Sequence, residues 1–334
     1  MTQFLSATAR ALAVTAMLGL AGFTAGVHAQ AWPTKAVALL VPFPPGGPTD
    51  VTARIYADKL SAKFGQPFVV ENKPGPNGVA VYNAVAAAPA DGHTLAFVTV
   101  GGQSLQPAIN AYLKKPSDMD VNQQFVPVGL LAESPLVLLV SPSIGVNSVQ
   151  ELVAWVKANP AKANYASDGI GSTTHLAAEM FNDAVGIKAV HVPFKGTVAS
   201  NQAIMAGDAH YAFSGILTPL PLHRAGKLKI IAIGGSGPVV SLPGVPTVAD
   251  AAKLPGFDVS SWFGVYVHKD VPADRIGLLN AELQRIGAMP DVMERFAGMG
   301  LQTRPTTAQQ LGQRVQAEYR KWNDLLVRTQ VKLN

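Results

Sequence analysis

From residue 36 onward the chain alternates short, β-branched apolar runs with helical patterns, and the alternation runs through twice. AVALLVPF at 36–43 has the composition of a strand, and 51–64 that of a helix. PFVVEN at 67–72, a helical pattern over 79–88 and HTLAFVTV at 93–100 continue the rhythm. It restarts at SVQELVAWVKANP, 148–160, which opens on a capping box of Ser148 and Glu151 and stops at Pro160. KANYASDG (162–169), a helix from Thr173, KAVHVPF (188–194) and a helix over 200–206 follow. Strands at HYAFSG (210–215) and KLKIIAIG (227–234) complete the second run. Such alternation implies βαβ units and a largely parallel sheet in each half.

Two further apolar segments stand outside the rhythm. LLAESPLVLLVSPS (130–143) separates the two runs, and WFGVYVH (262–268) follows the second. Both are expected to cross between lobes. The expected architecture is α/β with two lobes, each a mixed, mostly parallel sheet flanked by helices. Lobe one takes 32–132 plus 262–334, and lobe two takes 133–261. Helical patterns at 273–288 and 306–329 close the chain. With 334 residues and 48% hydrophobic content there is enough apolar material for two cores.

Composition removes several function classes. Hydrophobicity is too high and charge too low for disorder. The net charge of +5 has no Lys/Arg-rich run behind it, so nucleic acid is not an expected partner. Cysteine is absent, which excludes thiol nucleophiles, cysteine-based zinc sites and thiol redox chemistry. Residues 1–31 have the order of a secretory signal peptide. A lone Arg10 precedes the apolar ALAVTAMLGLAGF (11–23), and small residues lead to cleavage after Ala29 or Ala31. That apolar core is too short to span a bilayer comfortably, so the mature protein is expected in the periplasm or outside the cell.

The candidate chemistry sits at two strand-to-helix corners. The first, PFPPGGPTD, combines Phe43, Pro44, Gly46, Gly47, Thr49 and Asp50. Proline stiffens the bend while glycine lets a ligand approach bare backbone. The helix that follows points unpaired N–H groups and a partial positive charge into the corner, which suits a carboxylate. Asp50 reads as that helix's N-cap, and Thr49 adds a hydroxyl. The second corner, ASDGIGSTTHL (166–176), brings Ser167, Gly169, Ser172, Thr173, Thr174 and His175 to another helix start. Plain helix capping explains these residues as well as an anion cradle does. GIGSTT lacks the lysine of a nucleotide P-loop.

Weaker candidates surround the corners: the loop KPGPNG (73–78), Gly101 and Ser104 of GGQS, Lys195 of FKGT, and Ser214 at a strand end. Phe43, Phe194 and Trp262 are aromatic neighbours suited to core packing or to stacking on an aromatic acid. No Gly-x-Ser-x-Gly elbow, Ser-x-x-Lys or His-Glu-x-x-His occurs, and no metal or cofactor is implied. A Ser-dependent hydrolase using Ser172 or Ser104 with His175 stays open, because a triad is defined in space.

Six blocks in order resemble the Bug-type periplasmic solute receptors of tripartite tricarboxylate transporters. They are WPTKAVALLVPFPPGGPTDVTAR (32–54), VVENKPGPNG (69–78), APADGHTL (88–95), NYASDGIGSTTHLAAEMF (164–181), HVPFKGT (191–197) and LPGVPTVADAAKLPGFDVSSWFGV (242–265). The resemblance implies a two-lobe periplasmic-binding-protein fold of type II kind, acting as a monomer. It implies no catalysis, a small mono- or dicarboxylate between the lobes, and partners among the membrane components of such a transporter. It also implies that the loops matching 44–50 and 167–175 face the ligand. Many members carry an acid where this chain has Ser214; an uncharged residue there would remove repulsion toward a second carboxylate. A solute sensor that works without transport is the alternative within the same class.

Overall fold

The computed structural model describes residues 32–75, 78–115 and 121–333. The leader expected at 1–31, and Pro76 and Asn77 of the 73–78 loop, lie outside the described residues. Among the described residues nine strands form one mixed sheet.

In the first half of that sheet β1 (Val37–Val41) lies between β2 (Phe68–Asn72) and β3 (Thr94–Thr99), parallel to both. Helix α1 (Pro48–Phe64) joins β1 to β2, and α2 (Val79–Ala87) joins β2 to β3. These are the βαβ units that the alternation predicts. The next strand over, β9 (Ser260–His268), runs antiparallel to β3. Beyond it lies β4 (Phe125–Val140), sixteen residues long and buried almost throughout. The apolar run at 130–143 is therefore most of one long strand that starts five residues earlier.

At Pro135–Leu136 strand β4 changes partners. Up to Pro135 it pairs with β9. From Leu136 it pairs with β7 (Tyr211–Gly215) on one edge and β8 (Lys229–Ile233) on the other. Parallel to β7 lies β5 (Asn164–Ser167), and parallel to β5 lies β6 (Val190–Pro193). Helices α5 (Val149–Ala158), α6 (Thr173–Val185) and α7 (Thr197–Ala206) link the strands of this second half. Each half thus holds a parallel triplet, fastened to the other by antiparallel strands.

Three backbones meet at the changeover. The Leu136 N–H donates to the Val259 carbonyl at 3.1 Å, Gly234 N–H to the Leu136 carbonyl at 2.7 Å, and Val259 N–H to the Gly234 carbonyl at 2.8 Å. Two residues before it, buried Glu133 accepts from Arg304 at 3.1 Å and from Arg314. The last helix, α12 (Ala308–Thr329), spans the molecule. Its Leu311 and Val315 pack with Val81, Tyr82 and Trp262 of the first half. Its Trp322, Leu325 and Leu326 pack with Tyr165, Leu176, Phe181 and Phe213 of the second. Ala108 and Ile109 of a helix that the alternation does not predict, α3 (Gln106–Tyr112), join that second core.

Candidate functional site

The strand registers set where the two glycine corners open. Thr99, the end of β3, lies opposite Phe263 of β9, which in turn pairs with Ala132 of β4. The carboxyl ends of β1, β2 and β3 therefore point along β4 toward Pro135. In the second half Gly215, the end of β7, lies opposite Leu136, and β5 and β6 run parallel to β7. Both carboxyl edges thus turn toward one changeover from opposite sides. In open α/β sheets ligands bind beyond the carboxyl ends of strands.

The first corner is held by Asp50. Helix α1 starts at Pro48, with Gly47 as its N-cap in an extended conformation. Asp50 is therefore not the cap the sequence suggests; it sits in the first turn and reaches back. Its carboxylate accepts from the Gly46 N–H at 3.0 Å, Arg54 at 3.0 Å and Asn72 at 2.9 Å. Burial pushes the Asp50 carboxyl up, but Arg54, the Gly46 amide and Asn72 together hold it below its ordinary value. Asn72 also donates to the Phe43 carbonyl at 2.9 Å, so the end of β2 fixes the entry to the corner. Gly46 needs its freedom, since its φ is +87°. At both Gly46 and Gly47 an added Cβ would meet nothing within 4 Å, so the backbone is bare on its outer side. Pro44 is exposed and Thr49 is buried at the helix start.

The second corner is largely bonded to itself. Ser172 caps α6, accepting from the His175 N–H at 3.2 Å, and its hydroxyl lies 3.0 Å from that of Thr174. Asp168 N–H donates to Thr174 at 3.0 Å, Gly169 N–H to Ser167 at 3.2 Å, and Gly171 N–H to His175 Nδ1 at 3.1 Å. Those amides serve the loop, which leaves the start of α6, with Thr173, as the part able to meet an anion. Asp168 accepts from Thr197 at 2.7 Å and Ser200 at 2.8 Å, which ties β5 to the first turn of α7. Burial outweighs these two bonds and raises the Asp168 carboxyl. Lys195 is exposed on the loop before α7.

Beneath this corner lies a stack of three rings. His175 and His191 are 3.7 Å apart between centroids and parallel within 7°, and Tyr165 follows at 5.0 Å from His191. His191 Nε2 lies 2.6 Å from the Ser167 hydroxyl, and the Tyr165 hydroxyl donates to Glu179. Burial, aided by His191, pushes His175 down to about 3, and burial pushes His191 down to about 4. Both therefore stay neutral in the fold, and Gly171 requires an unprotonated Nδ1. In the unfolded chain they titrate near 6.5, so below that pH the unfolded state binds more protons and stability falls. For His175 alone the expected loss between roughly pH 6.5 and 5.5 is about 1 kcal/mol. Urea titrations should register it, and His175→Gln should remove about half of the combined slope there, His191 supplying the rest. A native profile flat from about pH 6.5 to 4.5 would contradict a neutral stack.

The remaining candidates separate. Ser104 donates to the Val315 carbonyl at 3.2 Å and serves the packing of α12. Neither serine proposed as a nucleophile is hydrogen-bonded to the His175 ring: Ser172 caps α6 through the His175 backbone N–H, and Ser104 is bonded to α12. Among the described residues no three His, Cys, Asp or Glu gather as a metal site. Ser214 is fully buried, its hydroxyl making one long contact of 3.4 Å to the Gly215 carbonyl. Trp262 is buried in the first core and Phe194 packs against apolar neighbours, whereas Phe43 is 43% exposed. Gly101 opens a π-helical turn, Gly101–Leu105, after the third strand. That turn buries Gln103 completely, with neither amide atom bonded to protein. Each such orphan costs about 1–3 kcal/mol. Sequence reasoning passes over Gln103, Asn72 and Asp168, although each closely follows or ends a predicted strand. A hollow of about 700 Å³, lined by Val126, Pro127, Lys269 and Arg320, lies at the opposite, amino end of β4.

Residues 52–331 match the family described as the tripartite tricarboxylate transporter family receptor. The chain is 32% identical to Protein BugT of Bordetella pertussis, over 97% of this chain and 98% of that one. It is equally 32% identical to a UPF0065 protein from the tcbD-tcbE intergenic region of Pseudomonas sp. strain P51, covering 96% and 95%. Among solved structures it is similar to R. palustris Rpa4515 with adipate, at 30% identity and a TM-score of 0.77, covering 89% and 98%. MatC from Rhodopseudomonas palustris with bound malate gives 31% identity and 0.72, covering 88% and 100%.

Proposed function

The chain belongs to the receptor family of the tripartite tricarboxylate transporters, and from that premise we propose that it is a periplasmic receptor for a small carboxylate. The ligand, a mono- or dicarboxylate, lies between the two halves and is handed to membrane components of such a transporter. The observation that carries this reading is the convergence of both carboxyl edges on Pro135–Leu136. Adipate and malate in two relatives at 30% and 31% identity support the ligand class.

The physical case needs no arginine in the site. The start of α1 offers roughly half a positive charge, the bare Gly47 backbone and the Thr49 hydroxyl. The start of α6, with Thr173, faces it from the other half. Hydrogen bonds to a charged group contribute about 1.5–3 kcal/mol each, so three or four supply the roughly −8 kcal/mol of micromolar binding after the cost of closure. A ligand that prefers the closed arrangement shifts the population toward it.

Calorimetry and thermal shift on residues 32–334, against a panel of mono- and dicarboxylates and their methyl esters, test the reading. A bound acid at 100 times its Kd is expected to add about 2.7 kcal/mol of stability, and its ester none. In Gly47→Val the extended N-cap accepts a side chain at a cost of about 1 kcal/mol for the poorer cap, so the fold should survive while carboxylate affinity falls about tenfold or more, about 1.4 kcal/mol. No acid in the panel stabilising the protein, or unchanged affinity in the variant, would remove the proposal.

A further inference from the structure

Each glycine corner also presents an apolar side chain to solvent. Phe43 stands at the first, 43% exposed, between Pro42 and Pro44, with its carbonyl held by Asn72. Ile170 stands at the second, 50% exposed, between Gly169 and Gly171. The backbone around Ile170 is fixed, since the Ser172 N–H donates to the Gly169 carbonyl at 3.2 Å and the Gly171 N–H to His175. Val198, 63% exposed, lies close by, because Asp168 ties the first turn of α7 to this loop. A single exposed apolar side chain is ordinary on a surface. These two lie four residues from Gly47 and three from Thr173, the groups that meet the carboxylate.

The corners are also near one another. The π turn Gly101–Leu105 runs directly into α3, and a Cβ on Gly171 would lie 3.4 Å from Ile109 of that helix. At about 1.5 Å of rise per residue, the second corner opens within about 20 Å of the end of β3, the strand beside β1. Charge limits what the corners can hold. Arg54 is engaged by Asp50, and Asp50 and Asp168 set a carboxyl group behind each corner. Each helix start therefore serves one carboxylate of a ligand, with nothing beside it suited to a second.

We propose that Phe43 and Ile170 are specificity-determining residues that grip the body of the ligand, selecting acids with an apolar carbon body, a methylene chain or an aromatic ring, over hydroxylated di- and tricarboxylates. This rests on the receptor reading above. Closure brings both side chains against the ligand and takes apolar surface on each out of water. A hydroxylated body gives up its hydrogen bonds to water at these side chains and finds none in return. A ring adds stacking on Phe43.

Calorimetry on carbon-matched pairs tests it: adipate against galactarate and hexanoate against gluconate for a chain, benzoate against quinate for a ring, with malate and citrate alongside. In at least one pair the apolar member is expected to bind about tenfold tighter or more. Phe43→Ser and Ile170→Ser, both at exposed positions, should melt close to the native protein. Each should weaken the apolar acid about fivefold or more and leave its hydroxylated partner within about twofold, and Ile170→Leu should keep the native ratio. Hydroxylated members binding as tightly, or malate or citrate binding alone, would overturn the selector while sparing the receptor reading. So would a pair ratio unchanged in either serine variant, which would turn that side chain over to contact with a membrane component. Silence from every acid here and in the wider panel would strike the receptor reading itself.

Discussion

Adding one methyl group at Gly234 is expected to lower the unfolding free energy by about 2–3 kcal/mol, the range of an overpacked core. The added Cβ would lie 2.6 Å from Val259 Cγ2, 3.0 Å from the Leu136 carbonyl oxygen and 3.2 Å from that of Val259. Val259 is β-branched and fully buried, so its methyl group has few rotamers to move to. The two carbonyls are fixed by hydrogen bonds to Gly234 and Leu136 themselves. Relief would come from parting the three backbones at the point where β4 changes partners. Gly237, three residues on, is the control: a Cβ there meets nothing within 4 Å, and Gly237→Ala should stay within about 0.5 kcal/mol of the native protein. Urea unfolding of both variants decides the matter. Equal stability would mean that the changeover is looser than its contacts imply.

Trp322→Ala is expected to cost more, about 3–5 kcal/mol, as for other large aromatic truncations in cores. Trp322 is fully buried where the last helix meets the second core, and Lys321 lies 4.6 Å from its ring centroid. Its neighbours are anchored from both sides, by Leu176 and Phe181 of α6 and by Ala108 and Ile109 of α3, so the hole has little room to collapse. Trp322→Phe should recover more than half of the loss. It keeps most of the apolar volume and discards an indole N–H that has no partner in the fold. A loss under about 1 kcal/mol for the alanine variant would show that α12 is not what ties the two cores together.

The parts of the fold legible in the sequence are those governed by local pattern. β1, β2 and β3, with α1 and α2 between them, fall within about three residues of the alternation, because each strand is a short apolar run closed by Pro, Gly or Asn. The full length of β4 is not legible. A strand buried on both faces has no polar face, so its period of two disappears and its ends cannot be read. Helix α3 and its π turn are hidden behind Gly101, Gly102 and Pro107, which locally read as loop. Helix α11 (Pro290–Gly298) opens on a proline that punctuates the sequence yet suits a first helical position.

The site divides in the same way. The first corner is legible because its prolines and glycines state the backbone they need. What Asp50 does is not, since its partners come from Gly46, Arg54 and, twenty-two residues on, Asn72. The hydroxyls of the second corner suggest a cradle, yet most of the loop's amides turn out to be engaged within it. Gln103 could not be singled out, because an unpaired amide is defined by what surrounds it in three dimensions.

The pairing of β4 also sets an order of events during synthesis. Residue 140 completes that strand, but its neighbours β7, β8 and β9 end at residues 215, 233 and 268. Neither half-sheet can be finished until the last third of the polypeptide has been made, and contacts so distant along the chain form slowly. For the periplasmic receptor proposed above, such a delay would keep the chain unfolded until it has been translocated.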